Sequence, residues 1–510
     1  MSAALIRNSS AIAETAGLGR RRRGAFYTPP ALSAPLLRRI LERWNGGAAP
    51  RLLDPACGGG AFLVAAARRL ISLWGPGVRQ RLPGLLHGVE LDAEAAGMTR
   101  RRLAELAGTP VEAWRCSILH ADALTDHRRP PTPGRPRGLD WRAAFGRVLS
   151  DGGFDAVVGN PPFLNAIERR SRFGPQLKVH LKERFACARG PVDAAVLFAE
   201  LALRLVRRGG RVGLVLPNKI LSAGYAAAWR SWVARRAELE YLGDFSDEDH
   251  FDAPGAYPVQ VLLRRGRILD GSMLELRRRG GDRHSIRPPR PLPDNWGPLL
   301  SPELDLLLGL QDNPRLGGFY TARSGASVTE AYALRPGMRE GSSENAPGDD
   351  GWPFVTSGSL TDPSGSARYL GRDYERPRLE RSAVSPRRAK LYDAPKVLVG
   401  GMTTRDGGLR ARYDPGGLAA AVSVICLTTR TDAAPPLPLP ALANLLISGF
   451  VGSIYRGLYG SLALSGGHLR VGAPQLRELP LPRRLPQGLL RKLTRHPLDA
   501  EDEKKLAEVY

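Results

Sequence analysis

The stretch RLLDPACGGGAFLVAAARRLISLW (51–74) constrains the fold most. A short apolar run ends on an acid, three glycines turn the chain, and apolar residues then recur at helical spacing. Glycine lets a backbone turn sharply and approach a ligand closely. A helix that starts at such a turn presents free N–H groups to that ligand. The same unit recurs with variations. LLHGVELD (85–92) reads as a second strand, followed by a helix rich in Ala and Arg. VEAWRCSIL (111–119) reads as a third, ending near Asp122, and FDAVVG (154–159) as a fourth. RVGLVLP (211–217) follows the helical run VLFAELALRLVRRGG, and LEYLGDF and PVQVLLRR read as two more strands. This alternation predicts an α/β fold with a mainly parallel, seven-stranded sheet covered on both faces. Ligands of such sheets bind at the carboxyl ends of the strands.

Three successive strand ends carry one acid each: Asp54, Glu90 and Asp122. The turn after Asp54 has neither the usual GxGxxG spacing nor the GK[ST] of a P-loop. A carboxylate beside it suits a cationic ligand group better than a pyrophosphate. Glu90 sits where an acid takes two ribose hydroxyls. Asp122 can accept from an exocyclic adenine amine. Amine, ribose and adenine together describe S-adenosylmethionine (SAM). The alternative for each acid alone is a solvated charge at a strand end.

The fourth strand stops at Asn160-Pro161-Pro162-Phe163. Two prolines remove two donors and fix two φ angles, and the first pushes Asn160 out of helical space. An amide and a ring are thus held stiffly at a strand end. The adenine amine is a poor nucleophile, because its lone pair is delocalised into the ring. The Asn160 side-chain oxygen and the Pro161 carbonyl can accept its hydrogens and free that lone pair, while Phe163 stacks on the base. Preorganised acceptors of this kind lower a barrier without a metal or a covalent nucleophile. A duplex target must be flipped out of its stack.

The formal charge of +24 over 510 residues fits a polyanionic partner. The four cysteines are far apart with no CxxC pair, which predicts neither a zinc site nor a disulfide framework. No apolar run approaches the length of a membrane span or of a signal-peptide core, so a cytoplasmic chain with no membrane partner is expected. The Pro/Arg-rich run HRRPPTPGRPRG (127–138) is expected not to pack. The basic segment 164–190 reads either as a clamp on a phosphate backbone or as a solvated surface helix. A composition shift around 271–300 suggests a linker, and 338–351 a disordered patch.

With those residues in hand, the N-terminal half resembles the gamma-class, TaqI-like DNA adenine-N6 methyltransferases. GAFYTPP (24–30) resembles the opening motif, DPACGGG the glycine motif, VELD and HAD the next two, and NPPF the catalytic motif. The resemblance implies a Rossmann-like methyltransferase domain over 1–270, a linker over 271–300 and a target-recognition domain of mixed α/β structure over 301–510. It implies SAM contacts from Tyr27, Thr28, Pro29, Asp54, Ala56, Gly58, Glu90, Leu91, Asp122, Ala123 and Phe198, with Thr28 near the methionine carboxylate. Phe198 also reads as plain helix core. Phe163 and Phe251 would stack on the flipped base, with Tyr257 the rival of Phe251. PKVLVGG, YDPGG, AAVSVICLTT, the helical stretch LANLLISGFVGSIYRGLY and LRELPLP resemble the specificity domain more loosely. Only about twenty residues precede Gly24, so no appended nuclease domain is expected.

The expected function is site-specific methylation of adenine N6 in double-stranded DNA, within a restriction-modification or defence system whose other subunits are left open. Methylation of RNA (guanine N2 or adenine), of protein glutamine, or of cytosine N4 uses related acceptor chemistry. A non-catalytic DNA-binding relative is the remaining alternative; the intact set of Asp54, Glu90, Asp122 and Asn160 speaks against it.

Overall fold

The computed structural model describes residues 28–42, 44, 47–129, 135–162, 174–190, 193–246, 257–266, 268–341, 351–462 and 467–510. The chain divides into two compact units, one ending at Leu300 and one starting at Ser301.

The first unit opens with α1 (Pro30–Glu42), which buries Leu32, Leu36, Leu37, Ile40 and Leu41 along one stripe. Next come β1 (Leu52–Asp54), α2 (Ala61–Trp74), β2 (Leu86–Glu90), α3 (Ala93–Ala107), β3 (Ile118–His120), α4 (Trp141–Ser150) and β4 (Phe154–Gly159). They are followed by α5 (Pro175–Arg184), α6 (Ala194–Leu205), β5 (Val206–Pro217), α7 (Ala227–Ala234), β6 (Ala237–Asp244), β7 (Pro258–Arg265), β8 (Leu274–Arg277) and β9 (Arg283–Ile286). One sheet runs β3-β2-β1-β4-β5-β7-β6-β8-β9. β1 pairs in parallel with β2 and β4, and β4 with β5. Only β7, between β5 and β6, and the edge strand β9 run antiparallel to their neighbours. The inner strands are apolar runs because both of their faces are covered. Leu52, Leu53, Val157 and Val158 are fully buried. Strand order reverses between β1 and β4, so their carboxyl ends splay apart there and leave a crevice.

The sheet has nine strands rather than the expected seven. Residues 271–300 are not a linker, because β8 pairs in parallel with β6, and β9 pairs antiparallel with β8. Their arginine-rich composition hid a short alternation, in which Leu274 and Leu276 are buried. The expected third strand shrinks to Ile118–His120, and its first half, Val111–Trp114, is a 3-10 turn that follows Pro110. The helix before β5 ends at Leu205 and not at the glycine pair, since Val206 already pairs with Phe154. The described end of the Pro/Arg-rich run, 135–138, does pack: the Asp122 N–H donates to the Arg137 carbonyl at 3.0 Å, and the Leu139 N–H that follows it donates to the Asp122 carbonyl at 3.0 Å.

The second unit contains β10 (Tyr320–Ser324), α8 (Val328–Leu334), β11 (Met338–Glu340), β12 (Gly351–Val355), β13 (Ala367–Tyr369), β14 (Arg372–Tyr374), β15 (Pro377–Glu380) and α9 (Pro386–Asp393). Then come β16 (Lys396–Gly400), β17 (Ala411–Asp414), β18 (Ala419–Ala420), β19 (Val424–Thr429), α10 (Leu439–Leu446), α11 (Gly449–Tyr459), α12 (Ala473–Arg477) and α13 (Gln487–Arg495). Two four-stranded sheets, β10-β19-β16-β17 and β11-β15-β12-β18, and the hairpin β13-β14 form this unit. Leu442, Leu445, Ile454 and Leu493 from three of its helices share a core with Val397 and Leu427 of the first sheet. Lys396 of the PKVLVGG run lies 2.5 Å from Asp414 of the YDPGG turn, both almost fully buried. Asp414 also accepts from the N–H groups of Gly416 and Leu418, so the buried pair has the further hydrogen bonds that such a pair requires. The late helical stretch is two helices, not one. The first ends at Leu446, and Ser448 caps the second, its hydroxyl accepting from the Val451 N–H. Of the segment read as disordered, Met338–Glu340 is strand β11, and residues 342–350 lie outside the described residues.

Candidate active site

Asp54 closes β1 and is almost fully buried. Its Oδ1 accepts from the Ala56 N–H at 3.0 Å, which starts the turn. Burial, with the charge of Glu90 as a lesser cause, pushes the Asp54 carboxyl up to about 8. Glu90 closes β2. Its two oxygens accept from the Gly58 N–H at 2.8 Å and the Asp92 N–H at 2.9 Å. Its carboxyl is also raised, first by burial. The second strand tip therefore ties down the glycine turn as well as offering its remaining lone pairs to a ligand.

Gly58 adopts a left-handed φ of 53°, and a side chain there would meet open space within 4 Å. Gly60, at φ 84°, caps α2, and a Cβ there would come within 2.9 Å of Thr99. Two residues of α3 that sequence reasoning missed hold the turn from behind. The Thr99 hydroxyl donates to the Gly58 carbonyl at 2.7 Å, and an Arg102 N–H donates to the Gly59 carbonyl at 2.8 Å. Their spacing of three places them on one helical face, the only signal that pointed to them.

The catalytic candidate follows β4. The Asn160 Nδ2–H donates to the Thr28 hydroxyl at 3.0 Å. That bond orients the amide and leaves its Oδ1 buried without a hydrogen-bond partner among the described residues. An unmet buried acceptor is costly, on the order of 1–3 kcal/mol. Thr28, expected near the methionine carboxylate, is buried, and its hydroxyl accepts from Asn160. Pro161 is buried and Pro162 half-buried. Gly159 links the two halves of the site, because a Cβ there would lie 2.8 Å from Asp54 Oδ1. β4 can pack beside the β1 tip only with glycine at that position.

The other expected contacts vary. Leu91 and Ala56 are half-buried beside Glu90 and Asp54. Pro29 is half-buried at the start of α1. Ala123 is buried, and its carbonyl accepts from the Trp141 ring N–H at 3.3 Å. Phe198 is buried within α6. Asp122 is buried, its Oδ1 accepts from the Leu124 N–H at 3.1 Å, and its Oδ2 lies 2.7 Å from Arg135. Asn218, another residue not foreseen, is buried at the end of β5, and its N–H donates to the Tyr257 carbonyl at 2.8 Å. Tyr27, Phe163 and Phe251 lie outside the described residues, as does most of the basic segment before α5. Leu177 and Leu181 of α5 are buried, so that helix is no free basic arm.

With this geometry in place, residues 85–251 match the Eco57I restriction-modification methylase family model. Among curated relatives, the type II methyltransferase M.PaeR7I of Pseudomonas aeruginosa is 27% identical over 218 residues, covering 42% of this chain and 35% of that protein. M.BstVI of Geobacillus stearothermophilus is 25% identical over 265 residues, covering 48% of this chain and 42% of its own length. The chain thus spans less than half the length of these relatives. Among solved structures, the type IIL restriction-modification enzyme MmeI, determined in complex with DNA, aligns with 96% of this chain and 76% of its own at a TM-score of 0.56 and 14% identity. That likeness concerns the fold.

The cofactor of a methylase segment of this family is SAM, and the residues here fit it. The buried Asp54 and the half-buried Glu90 each raise the other's cost of ionising, a cost that the ammonium group of SAM would offset. The space over Gly58 admits close approach by a ligand. Glu90→Ala is expected to weaken SAM binding by on the order of 1.5–3 kcal/mol, from a loosened glycine turn and from the loss of the acceptor expected to face the ribose. Calorimetry with the folded variant checks this, and unchanged affinity would remove Glu90 from the site.

Proposed function

We propose that this chain methylates the exocyclic N6 of adenine in double-stranded DNA. The observation that carries the reading is the buried, unpartnered Asn160 Oδ1 at the crevice between β1 and β4. When bound, SAM supplies a methyl group made electrophilic by its sulfonium. Asn160 Oδ1 accepts one hydrogen of the target amine, and the Pro161 carbonyl accepts the second. The nitrogen lone pair is then released from the ring towards the methyl; as the new N–C bond forms, the C–S bond of the sulfonium would break, S-adenosylhomocysteine would leave, and one amine proton would pass to solvent. Thr28 holds the amide at the correct rotation, so that no reorganisation is needed during the reaction. Asp54 takes the ammonium of the cofactor and Glu90 its ribose hydroxyls. Phe163 and Phe251 are the proposed stacking partners of the flipped base. The order of motifs, with cofactor residues before the catalytic turn, supports a gamma-class assignment, and the unit from Ser301 onward is the proposed target-recognition domain.

Asp122 is proposed to accept from the cofactor's adenine amine, and Arg135 competes for it. Arg135→Ala is therefore expected to tighten SAM binding several-fold by calorimetry. Unchanged or weaker binding would mean that Asp122 does not face the adenine. The function as a whole is tested by transfer of a tritiated methyl to DNA, RNA and protein, followed by base-modification sequencing of the labelled DNA. Label in RNA or protein alone would overturn the reading, and N4-methylcytosine would correct the target base.

A further inference from the structure

The second unit has a cleft of about 470 Å³ whose lining includes Arg323, Arg387, Arg388 and Arg477. Three different elements supply them: Arg323 comes from the edge strand β10, Arg387 and Arg388 from α9, and Arg477 from the end of α12. The lining holds one carboxylate, Glu330, and it is already committed. Glu330 accepts from Arg388 at 2.6 Å and from the Ser327 N–H at 2.7 Å in a capping box, and these bonds help to hold its carboxyl below the usual range. Arg388 also donates to the Ser324 carbonyl at 2.8 Å, which leaves it little freedom. Arg323, Arg387 and Arg477 are exposed and have no ion-pair partner among the described residues. Three uncompensated guanidinium groups share one concavity, an arrangement that raises the local positive potential and favours an anion.

We propose that this cleft is a phosphate-binding site for the backbone of duplex DNA, with Arg323, Arg387 and Arg477 as the phosphate contacts. The proposal rests on the reading of the chain as a DNA methylase and names the part of the second unit that holds the substrate. Guanidinium forks match phosphate oxygens bidentately, and three of them spread over an open cleft suit a repeating anion better than a single one. Such contacts position a duplex without reading its sequence.

The test compares the full-length chain with a triple variant, Arg323→Ala/Arg387→Ala/Arg477→Ala, binding a short duplex of random sequence over a range of salt concentrations. Each lost phosphate contact should reduce the slope of log affinity against log salt by about 0.9, so a reduction of roughly two to three is expected. The triple lysine variant should keep most of the slope, and SAM affinity should be unchanged in both variants. A control, Arg484→Ala/Arg491→Ala/Arg495→Ala, removes the same charge from exposed positions that do not line the cleft. An unchanged slope in the cleft variant, or an equal loss in the control, overturns the cleft while leaving the methylase reading intact. Failure of the parent chain to bind duplex DNA, or a preference for poly-glutamate, overturns both.

Discussion

Asn160→Ala is expected to lower methyl transfer by at least about a hundredfold, or ~3 kcal/mol in the barrier, while SAM affinity and the melting temperature hardly move. The asymmetry follows from how the amide is held. Its Nδ2–H is spent on Thr28, and its Oδ1 has no partner among the described residues. Removing a buried acceptor that bonds nothing in the free protein costs the fold little, since the desolvation cost of that atom disappears with it. The same acceptor is used when the target amine loses its planarity, so the loss falls on turnover. If Asn160 were only a turn-former, the two prolines would preserve the backbone and activity would fall within tenfold. Thr28→Val separates the roles further. It leaves Asn160 in place but frees the amide to rotate, so turnover should drop by less than in Asn160→Ala. A duplex carrying 2-aminopurine at the target should still brighten with Asn160→Ala, because flipping precedes chemistry. Single-turnover assays of the three proteins decide the matter, and an Asn160→Ala rate within tenfold of the parent would refute the mechanism.

What the sequence made legible was local and periodic. Strand β1, the glycine turn and α2 could be read because an apolar run, three glycines and a helical stripe follow one another without interruption. Asp54 and Glu90 could be placed because each ends such a run, and Asn160 because prolines mark a strand end unambiguously. Residues that act across the fold left no such mark. Thr99 and Arg102 hold the turn from 41 and 43 positions away, and nothing in a helix rich in arginine singles out one of them. Thr28 meets Asn160 across 132 residues, so its hydroxyl partner could not be read from spacing. β8 and β9 were missed because four-residue strands give too short an alternation to stand out from a basic, proline-rich stretch. The packing of 135–138 against Asp122 was missed for the opposite reason. Proline and arginine suggested solvent, but an ion pair with a buried acid and backbone pairing at a strand end override composition.

Asp54→Asn is expected to stabilise the cofactor-free protein and to weaken SAM binding in the same molecule. The sign follows from proton linkage. A carboxyl raised from 3.8 to about 8 binds its proton more tightly in the folded state than in the unfolded one. Its contribution to stability is therefore fully present below pH 3.8 and is lost as pH rises towards 8. By pH 8 the ionised Asp54 costs the fold on the order of 3–5 kcal/mol, and at pH 5 only about 1–2 kcal/mol. Asparagine keeps the acceptor for the Ala56 N–H and never ionises, so it escapes this cost. The gain in thermal midpoint over the parent should accordingly be largest near pH 8 and shrink towards pH 5. With SAM the order reverses. The ammonium of the cofactor offsets the buried charge in the parent, whose affinity should rise with pH as Asp54 loses its proton, and that rise should be absent in the variant. Calorimetry in two buffers of different ionisation enthalpy would show a proton released on SAM binding below pH 8 by the parent, and less release by Asp54→Asn. A gain over the parent that is no larger at pH 8 than at pH 5 would mean that Asp54 is ionised at little cost in the free protein. A variant that is more stable yet binds SAM as tightly as the parent would mean that the acid at the end of β1 serves something other than the ammonium.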